Sequence, residues 1–341
     1  MSGVTGGCLR KVDSQTLTSL LAAAGIEASA RAAFLDAENR QLPDGSTSLA
    51  TTTDLVYDFG AAPRDFGWIA AAHALSDLFA VLAKPVVATI CLGVTRSAVT
   101  DGTSAATLRG FLEAISAESV ALGGGHTVYA DANFVSVSAV GVNSITPAPA
   151  WTAGETYTLL VSKALGSGIY LSARANGLLD QSAYEDELLP LLRTSNARAA
   201  RGLRELALAE PGSLAFVTDV TGFGLLLGVG SKLRHGASAV VKAADVPLLG
   251  QVGRLISEEG LATALGEQNM FALAEDPVFA LGTVPVETQL ALSDPQTSGG
   301  LVTAVRASAA EALLVREPGI WAAIGTVQMS EQPSPPRLKV A

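Results

Sequence analysis

Cysteine is scarce in this sequence. Of 341 residues only Cys8 and Cys91 carry a thiol, which is too few for a disulfide framework. Cys91 lies in the apolar run 86–92, a setting typical of a buried thiol in a strand. Cys8 has small and polar neighbours, and Lys11 three residues later could supply the cation that keeps a thiolate charged at neutral pH. The alternative is an unremarkable cysteine in a disordered leader.

Basic residues are outnumbered as well. Lys and Arg total 22 against 32 Asp and Glu, which gives a net charge of −10. A nucleic-acid surface needs clustered Lys and Arg, so we expect no nucleic-acid partner. An acidic chain suits a protein that gathers Mg²⁺ around a nucleotide.

Long hydrophobic runs are missing, although the mean hydropathy is positive. The longest stretch without charge, residues 132–154, contains asparagine, proline and serine, and residues 134–140 alternate with the period of a strand. There is no uninterrupted apolar helix of about 20 residues. The N-terminus also lacks the basic-then-apolar pattern of a signal peptide. We therefore expect a soluble, cytoplasmic protein with no membrane partner.

The length and the 49% of hydrophobic residues predict a large core and about two domains. Helical and strand-like patterns alternate, which predicts an α/β (α+β) chain with domains at 1–150 and 151–341 and a mobile arm at 1–12. The predicted strands lie at 48–52, 86–92, 134–142, 157–161 and 213–218, with one more from 301. The predicted helices lie at 68–83, 104–118 and 185–208, with others starting at Asp13 or Ser14 and at about 223.

Four aspartates are candidate ligands for a metal or nucleotide: Asp36, Asp54, Asp77 and Asp219. Asp54 and Asp219 end apparent strands, and Asp77 lies in a helical run. Carboxylates that converge form the hard-oxygen site that Mg²⁺ prefers. Taken singly, each aspartate is more often a helix cap or a solvated residue.

Two glycine-rich segments are candidate phosphate sites. The run Gly123-Gly-Gly-His-Thr127 predicts a turn whose backbone N–H groups can cradle phosphate. A tight turn without a ligand is the alternative, and His126 either contacts nucleotide or packs. The second segment, Thr221-Gly-Phe-Gly224, opens a predicted helix, whose N-terminal amides favour an anion.

Six segments together resemble the selenophosphate synthetases, which belong to the aminoimidazole-ribotide-synthetase-like ATP-binding superfamily. The most informative is Ser293-Asp-Pro-Gln-Thr-Ser-Gly-Gly-Leu301, similar to the family's DPQTSGG. Its Gly299 and Gly300 permit close backbone approaches that a Cβ would block. The other five segments, in chain order, are 6–11, 51–54, 65–77, 123–127 and 218–225.

The resemblance implies two mixed-sheet domains with helices on one side of each sheet. The N-terminal domain would bind ATP, and its sheet would pair with that of a second protomer into a barrel, which makes a homodimer. We expect the alternating strand 134–142 to have an exposed edge that such pairing would cover.

The resemblance also implies a reaction and its residues. ATP, selenide and water would give selenophosphate, phosphate and AMP, with Cys8 and Lys11 as catalytic residues. Mg²⁺ would be held by Asp36, Asp77 and Asp219. The ATP site would consist of Lys11, Asp54, Asp77, Gly125, His126 and Thr127.

The chain departs from the family pattern at several places. Leu35 stands where the family has a second aspartate, and His73 stands where it has asparagine. Residues 80–85 lack two glycines, residues 228–233 lack a histidine and a glutamate, and Asn269 survives from a larger motif. Two alternatives therefore stay open: a nucleotide-binding regulatory paralogue without turnover, or another ATP-dependent enzyme of the superfamily.

Overall fold

The computed structural model describes residues 12–24, 38–41, 48–143, 149–332 and 334–341. Cys8, Lys11 and Asp36 lie outside the described residues. The predicted arm also lies outside them, apart from residue 12.

The described strands form two mixed sheets. The first contains β1 Glu38–Gln41, β2 Ser48–Tyr57, β3 Lys84–Val94, β4 Ala121–Tyr129 and β5 Phe134–Asn143, in the order β1-β2-β5-β3-β4. The second contains β6 Thr156–Val161, β7 Leu214–Asp219, β8 Ala237–Val241, β9 Phe279–Ala280, β10 Leu301–Arg306, β11 Ala322–Met329 and β12 Arg337–Val340, in the order β7-β10-β6-β11-β8-β12-β9. In the first sheet β3 and β4 are parallel and the other neighbours are antiparallel.

The helices fall before and between these strands. In chain order they are α1 Ser14–Ala23, α2 Pro63–Ala80, α3 Arg96–Thr100, α4 Thr103–Ala117, α5 Ser167–Ala175, α6 Gln181–Ala183, α7 Leu189–Arg193, α8 Ala197–Ala209, α9 Gly224–Lys232, α10 Val252–Ser257, α11 Ala264–Glu275, α12 Val286–Ser293 and α13 Ala307–Arg316. A π-turn at Tyr184–Leu188 and a 3₁₀ turn at Ala243–Asp245 complete the set for the described residues. None of the helices in the described part of the chain is long and apolar enough to cross a membrane.

Helices α2 and α4 cover one face of the first sheet. They cross closely because each has a glycine at the crossing: a Cβ on Gly67 would lie 1.9 Å from the carbonyl oxygen of Thr107. On β5, Val137 is buried beneath these helices, whereas Ser138 on the opposite face is exposed. The side chains of that opposite face bond across the strands, as Thr53 does with Ser138 at 2.9 Å.

One buried apolar cluster joins side chains of both sheets, for example Val137 on β5 and Leu160 on β6. A second cluster lies within the seven-stranded sheet and its helices, around Tyr157 and Ile324. The two halves of the chain are therefore packed together through a common core, so the loops at the ends of their strands can meet in one site.

Most predicted elements are confirmed within a few residues. The cap of α1 is also confirmed, since the Asp13 carboxylate accepts a hydrogen bond from the backbone N–H of Thr16. The helix predicted at 185–208 is wrong as a single element, because it is a π-turn, α7 and α8 with a break at 194–196. Pro190, in the first turn of α7, has no N–H to continue a preceding helical ladder.

Two predictions about the first sheet are also wrong. Strand β5 has no exposed edge, because it pairs with β2 on one side and β3 on the other. The segment 123–127 is not a turn, because it lies within β4, which pairs with β3. The exposed edge among the described strands on this side of the sheet belongs to β4.

Candidate active site

Beyond its first turn, helix α2 is buried almost all round, and three polar residues interrupt its apolar surface: His73, Ser76 and Asp77. Their spacing of three and four places them on one face of the helix. Each contacts a different segment of the chain through its side chain. This face is the centre of the candidate site.

His73 joins Asp54 to the loop that precedes β10. Its Nε2 lies 3.0 Å from Oδ2 of Asp54, and its Nδ1 accepts the backbone N–H of Ser298 at 3.0 Å. Because Nδ1 accepts, the ring proton is on Nε2 and is donated to the carboxylate. The imidazole is only 1% exposed, so it fixes the orientation of Asp54 from the protein interior. Ser298 has a positive φ of 51°, which turns its N–H toward the ring.

Ser76 joins α2 to Asp219 at the end of β7. Its Oγ donates to Oδ2 of Asp219 at 2.6 Å and accepts from Nδ2 of Asn196 at 2.9 Å. Asn196 also donates to the carbonyl oxygen of Gly299 at 2.8 Å. The break between α7 and α8 therefore positions an amide that fixes the orientation of Ser76.

Asp77, the third polar residue of the face, accepts a hydrogen bond from the hydroxyl of Thr52 on β2. Asp54 lies two residues further along the same strand, with its side chain on the same face of the sheet. The described members of the predicted acidic set, Asp54, Asp77 and Asp219, are thus all in contact with α2 or part of it.

Lys163, which follows β6, belongs to none of the sequence motifs but also lies in this region. Its Nζ donates to the carbonyl oxygens of Ser298 at 2.8 Å and Thr194 at 2.5 Å. Desolvation lowers the pKa of Lys163 to about 7, and the negative charge of Asp219 opposes that shift. The sequence offers one indication of its role: Lys163 comes two residues after an apolar strand. A cation in such a place needs oxygen acceptors from the protein.

The side chains of the DPQTSGG-like segment cap the N-terminus of helix α5. Oε1 of Gln296 accepts from the backbone N–H groups of Gly166 and Ser167 at 2.9 and 3.0 Å. Oδ2 of Asp294 accepts from the N–H of Ile169 at 3.1 Å. Both side chains are buried, and together they satisfy the amides that a helix leaves without partners at its N-terminus.

Burial strongly raises the pKa of Asp294. Desolvation raises the pKa of its carboxyl to about 7, although hydrogen bonds from Ile169, Thr263 and Gln296 oppose the shift. Thr263 contributes its hydroxyl at 3.1 Å. The aspartate of the motif therefore lies within the protein and holds the loop against α5.

The two glycines of the motif allow the close approach that the sequence predicted. A Cβ on Gly299 would lie 1.9 Å from the carbonyl oxygen of Val220, and one on Gly300 would lie 2.7 Å from the backbone nitrogen of Lys163. The loop is thus pressed between the end of β7 and the start of the Lys163 segment, which brings Ser298 to both His73 and Lys163.

The predicted nucleotide residues Gly125, His126 and Thr127 lie in β4, where they are exposed. Asp54 on β2 lies opposite Val137 on β5. Val137 lies opposite Ile90, and Ile90 opposite Gly125. Three strand spacings separate Asp54 from Gly125, or about 14 Å. Within one chain the structure therefore does not bring these three residues together with Asp54.

Within the described residues no three His, Cys, Asp or Glu side chains converge as a metal site. Asp36 of the predicted set is outside them. Asp77 and Asp219 supply carboxylate oxygens, the donor type that Mg²⁺ takes, and Mg²⁺ commonly uses one or two protein carboxylates together with phosphate oxygens. Asp77 and Asp219 therefore fit the role of carboxylate ligands to Mg²⁺.

The fold and this arrangement define an AIR synthase-related protein. Residues 30–143 match the family model described as AIR synthase related protein, N-terminal domain. The structure also resembles thiamine monophosphate kinase from Aquifex aeolicus, with a TM-score of 0.68 and 15% identity over 96% of each chain. At 15% identity this similarity shows a shared fold and nothing about the reaction.

Curated relatives narrow the class. The chain is 33% identical to a selenide, water dikinase of Burkholderia ambifaria, over 91% of this chain and 87% of the relative. It is 30% identical to the selenide, water dikinase of Rhizobium meliloti, over 80% of this chain and 76% of the relative. The chain belongs to the selenide, water dikinase family.

Proposed function

We propose that this protein makes selenophosphate from selenide, ATP and water, and releases AMP and phosphate. The observation that carries the proposal is the position of Asp54, Asp77 and Asp219 at one face of α2, in a chain that matches selenide, water dikinases over nearly its whole length. These acids come from separate parts of the sequence. The fold assembles them beside the loop that carries the DPQTSGG-like motif.

Asp77 and Asp219, with Asp36, would hold Mg²⁺. When bound, Mg²⁺ supplies charge neutralisation at phosphate oxygens. The protein's own contribution is orientation: Thr52 fixes one oxygen of Asp77, and Ser76 fixes one oxygen of Asp219. The positions of these carboxylates are therefore set before substrate binds.

The nucleotide would contact Lys11, Asp54 and Asp77, together with Gly125, His126 and Thr127 on β4. Cys8 would hold or deliver selenium, and Lys11 would steady the transferring phosphoryl group. The spacing of about 14 Å between Asp54 and Gly125 is consistent with a site to which two protomers contribute, one with its α2 face and the other with its β4.

A homodimer is part of the proposal. The face of the first sheet opposite α2 and α4 exposes uncharged side chains, among them Thr53, Leu55 and Ser138, and β4 adds Leu122 and Tyr129. An uncharged, partly apolar sheet face and an exposed edge favour burial against a second copy. Light scattering at micromolar concentration should give twice the chain mass, and a monomer with full activity would contradict this part.

A cytoplasmic location is proposed as well. ATP is an intracellular substrate, and the chain has only two cysteines, so it has no disulfide framework of the kind found in secreted proteins.

Formation of AMP from ATP, with and without selenide, tests the reaction, and phosphorus NMR would detect selenophosphate directly. Cys8→Ser should abolish selenide-dependent turnover while ATP still binds. The matched control is Cys91→Ser, on the half-buried Cys91 of β3, which should keep turnover. If the unchanged protein binds ATP but forms no AMP with selenide, the regulatory alternative replaces the proposal.

Calorimetry of ATP binding tests the metal assignment. Asp219→Asn keeps the shape of the side chain and removes one charge, so Mg²⁺-ATP should bind more weakly by about 1–3 kcal/mol. Asp245→Asn, at an exposed position, is the control and should leave affinity unchanged. Equal affinities for both variants and the unchanged protein, with Mg²⁺ and with EDTA, would remove Asp219 from the metal site.

A further inference from the structure

Lys163 lies at the junction of two loops, and the proposed function leaves it without a role. Its Nζ donates to the carbonyl oxygen of Thr194, in the break between α7 and α8, and to that of Ser298, in the loop before β10. Among the residues that the structure describes, Nζ is the sole hydrogen-bond donor to either oxygen. One side chain therefore holds two loops from a third segment of the chain.

The backbone that carries Lys163 is fixed. It directly follows Ser162, whose backbone N–H donates to the carbonyl oxygen of Leu301 at 2.9 Å. The Oγ of Ser162 in turn accepts the backbone N–H of Leu301 at 2.8 Å. The preceding strand, β6, lies between β10 and β11 in the seven-stranded sheet. The lysine therefore extends from a rigid base, so its bonds to the two loops limit how far these can move.

The bond to Ser298 matters most because this residue is held in a strained conformation. Its φ of 51° is in the left-handed region, which a non-glycine residue keeps where its surroundings enforce it. Here Lys163 binds its carbonyl oxygen and His73 binds its N–H, at 2.8 and 3.0 Å. Ser298 is buried, so without Lys163 its carbonyl would lose the donor that satisfies it. We expect the loop then to relax and move the N–H away from His73, which orients Asp54.

The bond to Thr194 acts on the other acid, Asp219. Thr194 is the residue directly after α7 and has an extended backbone, and Asn196 follows two residues later. The amide of Asn196 is buried and orients Ser76, which donates to Asp219. A shift of the backbone at Thr194 would move this amide. The orientation of both Asp54 and Asp219 thus depends on the same amine.

We propose that Lys163 is a positioning residue: it fixes the two loops that orient Asp54 and Asp219, and it acts through these acids rather than on the substrate. The inference rests on the proposed function for the roles of the two acids. Two carbonyl acceptors need two N–H groups, which an amine has with or without its charge. The contact therefore requires hydrogen-bond donors, which a methionine side chain of nearly the same length lacks.

The ring nitrogens of His73 report the position of the Ser298 loop without ATP, metal or turnover. The chain has three histidines, so nitrogen NMR spectra of histidine-labelled protein are simple, and His73→Phe assigns the signals. In the natural protein Nδ1 should have the shift of an unprotonated nitrogen and Nε2 that of a protonated one. In Lys163→Met the two signals should move toward each other, and the Ser298 amide should exchange its hydrogen roughly 10-fold faster or more. Lys339→Met, at an exposed position on β12, is the matched control and should change neither.

Unchanged His73 signals and unchanged Ser298 exchange in Lys163→Met would overturn the proposal. Thermal unfolding checks that the variant is folded. If it is not, Lys163→Gln, whose shorter amide cannot reach both oxygens from the same backbone position, is measured in its place. Because these measurements need no substrate, they decide the positioning role even if the protein forms no AMP, so its failure is distinguishable from a failure of the proposed function.

Steady-state kinetics measure the consequence for the reaction. Lys163→Met should raise the KM for Mg²⁺-ATP about 10-fold, the scale of losing a residue that orients a ligand-binding side chain. Lys163→Arg, which keeps the donors, should recover part of the loss. In the His73→Phe background Asp54 is already released, so Lys163→Met should raise KM by less than in the natural protein, because effects along one chain of contacts do not add. A second full increase there would show direct action on the substrate and would refute the positioning role.

Discussion

Replacing Asp294 by Asn separates the charge of this buried carboxyl from its hydrogen bonds. The pKa of Asp294 is raised from 3.8 to about 7, and desolvation is the largest cause. Below pH 3.8 the Asp294 carboxyl is protonated in both the folded and the unfolded chain, so it does not lower the free energy of unfolding. As the pH rises toward 7, the unfolded chain ionises first, the unfolded state is favoured, and stability is lost.

The magnitude follows from the shift. Three pKa units at about 1.36 kcal/mol each give about 4 kcal/mol in total. Roughly 2–3 kcal/mol of this develops between about pH 5 and about pH 8. Asn stays neutral throughout and keeps an oxygen for the N–H of Ile169, so its variant should lack this part of the pH dependence.

Urea denaturation at pH 5 and pH 8 measures the effect as a difference between the natural protein and Asp294→Asn. Relative to the natural protein, the variant should gain roughly 2–3 kcal/mol on going from pH 5 to pH 8. Asp294→Ala, which also loses the hydrogen bonds, should show the same change with pH from a lower starting stability. If the natural protein and Asp294→Asn change in parallel, the carboxyl is not protonated in the folded state and the reasoning is refuted.

Three further predictions concern the same region. Gln296→Leu should lower the free energy of unfolding by about 2–4 kcal/mol, because two buried N–H groups lose their acceptor; Gln328→Leu, exposed on β11, should cost little in the same denaturation assay. The pKa of Lys163 is lowered to about 7 by desolvation, so stability is lost as the pH falls from 10 toward 7; relative to Lys163→Met, the natural protein should gain about 1–2 kcal/mol between pH 7 and 9.5, after allowance for partial exposure. His73→Phe should raise the KM for Mg²⁺-ATP about 10-fold in the AMP assay by releasing Asp54, and His73→Asn should restore part of the loss; an unchanged KM in both variants would show that the contact is only structural.

Elements with strong local patterns could be predicted from the sequence. Strands β6 and β7 are apolar runs that end at polar residues, and α1 has a side-chain cap at Asp13. Helix α2 spans Pro63–Ala80, whereas the sequence pattern predicts residues 68–83. It is buried almost all round, so no amphipathic pattern marks its ends, and Leu82 after it has a positive φ of 59°.

The remaining features depend on partners far away in the sequence. Gln296 contacts Gly166 across 130 residues. The composition of the DPQTSGG-like motif alone therefore does not predict that it caps a helix. The three glycines at 123–125 predict a turn in place of β4, because glycine disfavours strands. The register of β4 shifts near Gly124, which has a φ of 128°, and parallel pairing with β3 keeps it extended. The position of Lys163 after an apolar strand does not predict its oxygen partners, since these come from two separate loops.

The polar face of α2 has a mechanical consequence. Two of its contacts, Ser76 with Asp219 and His73 with the backbone of Ser298, connect the helix of the first sheet to the second half of the chain. A clamshell opening between the halves would have to break both buried bonds at the same moment and hydrate all four groups. Together with the shared apolar core, these bonds oppose such an opening, so the halves are expected to move as one body.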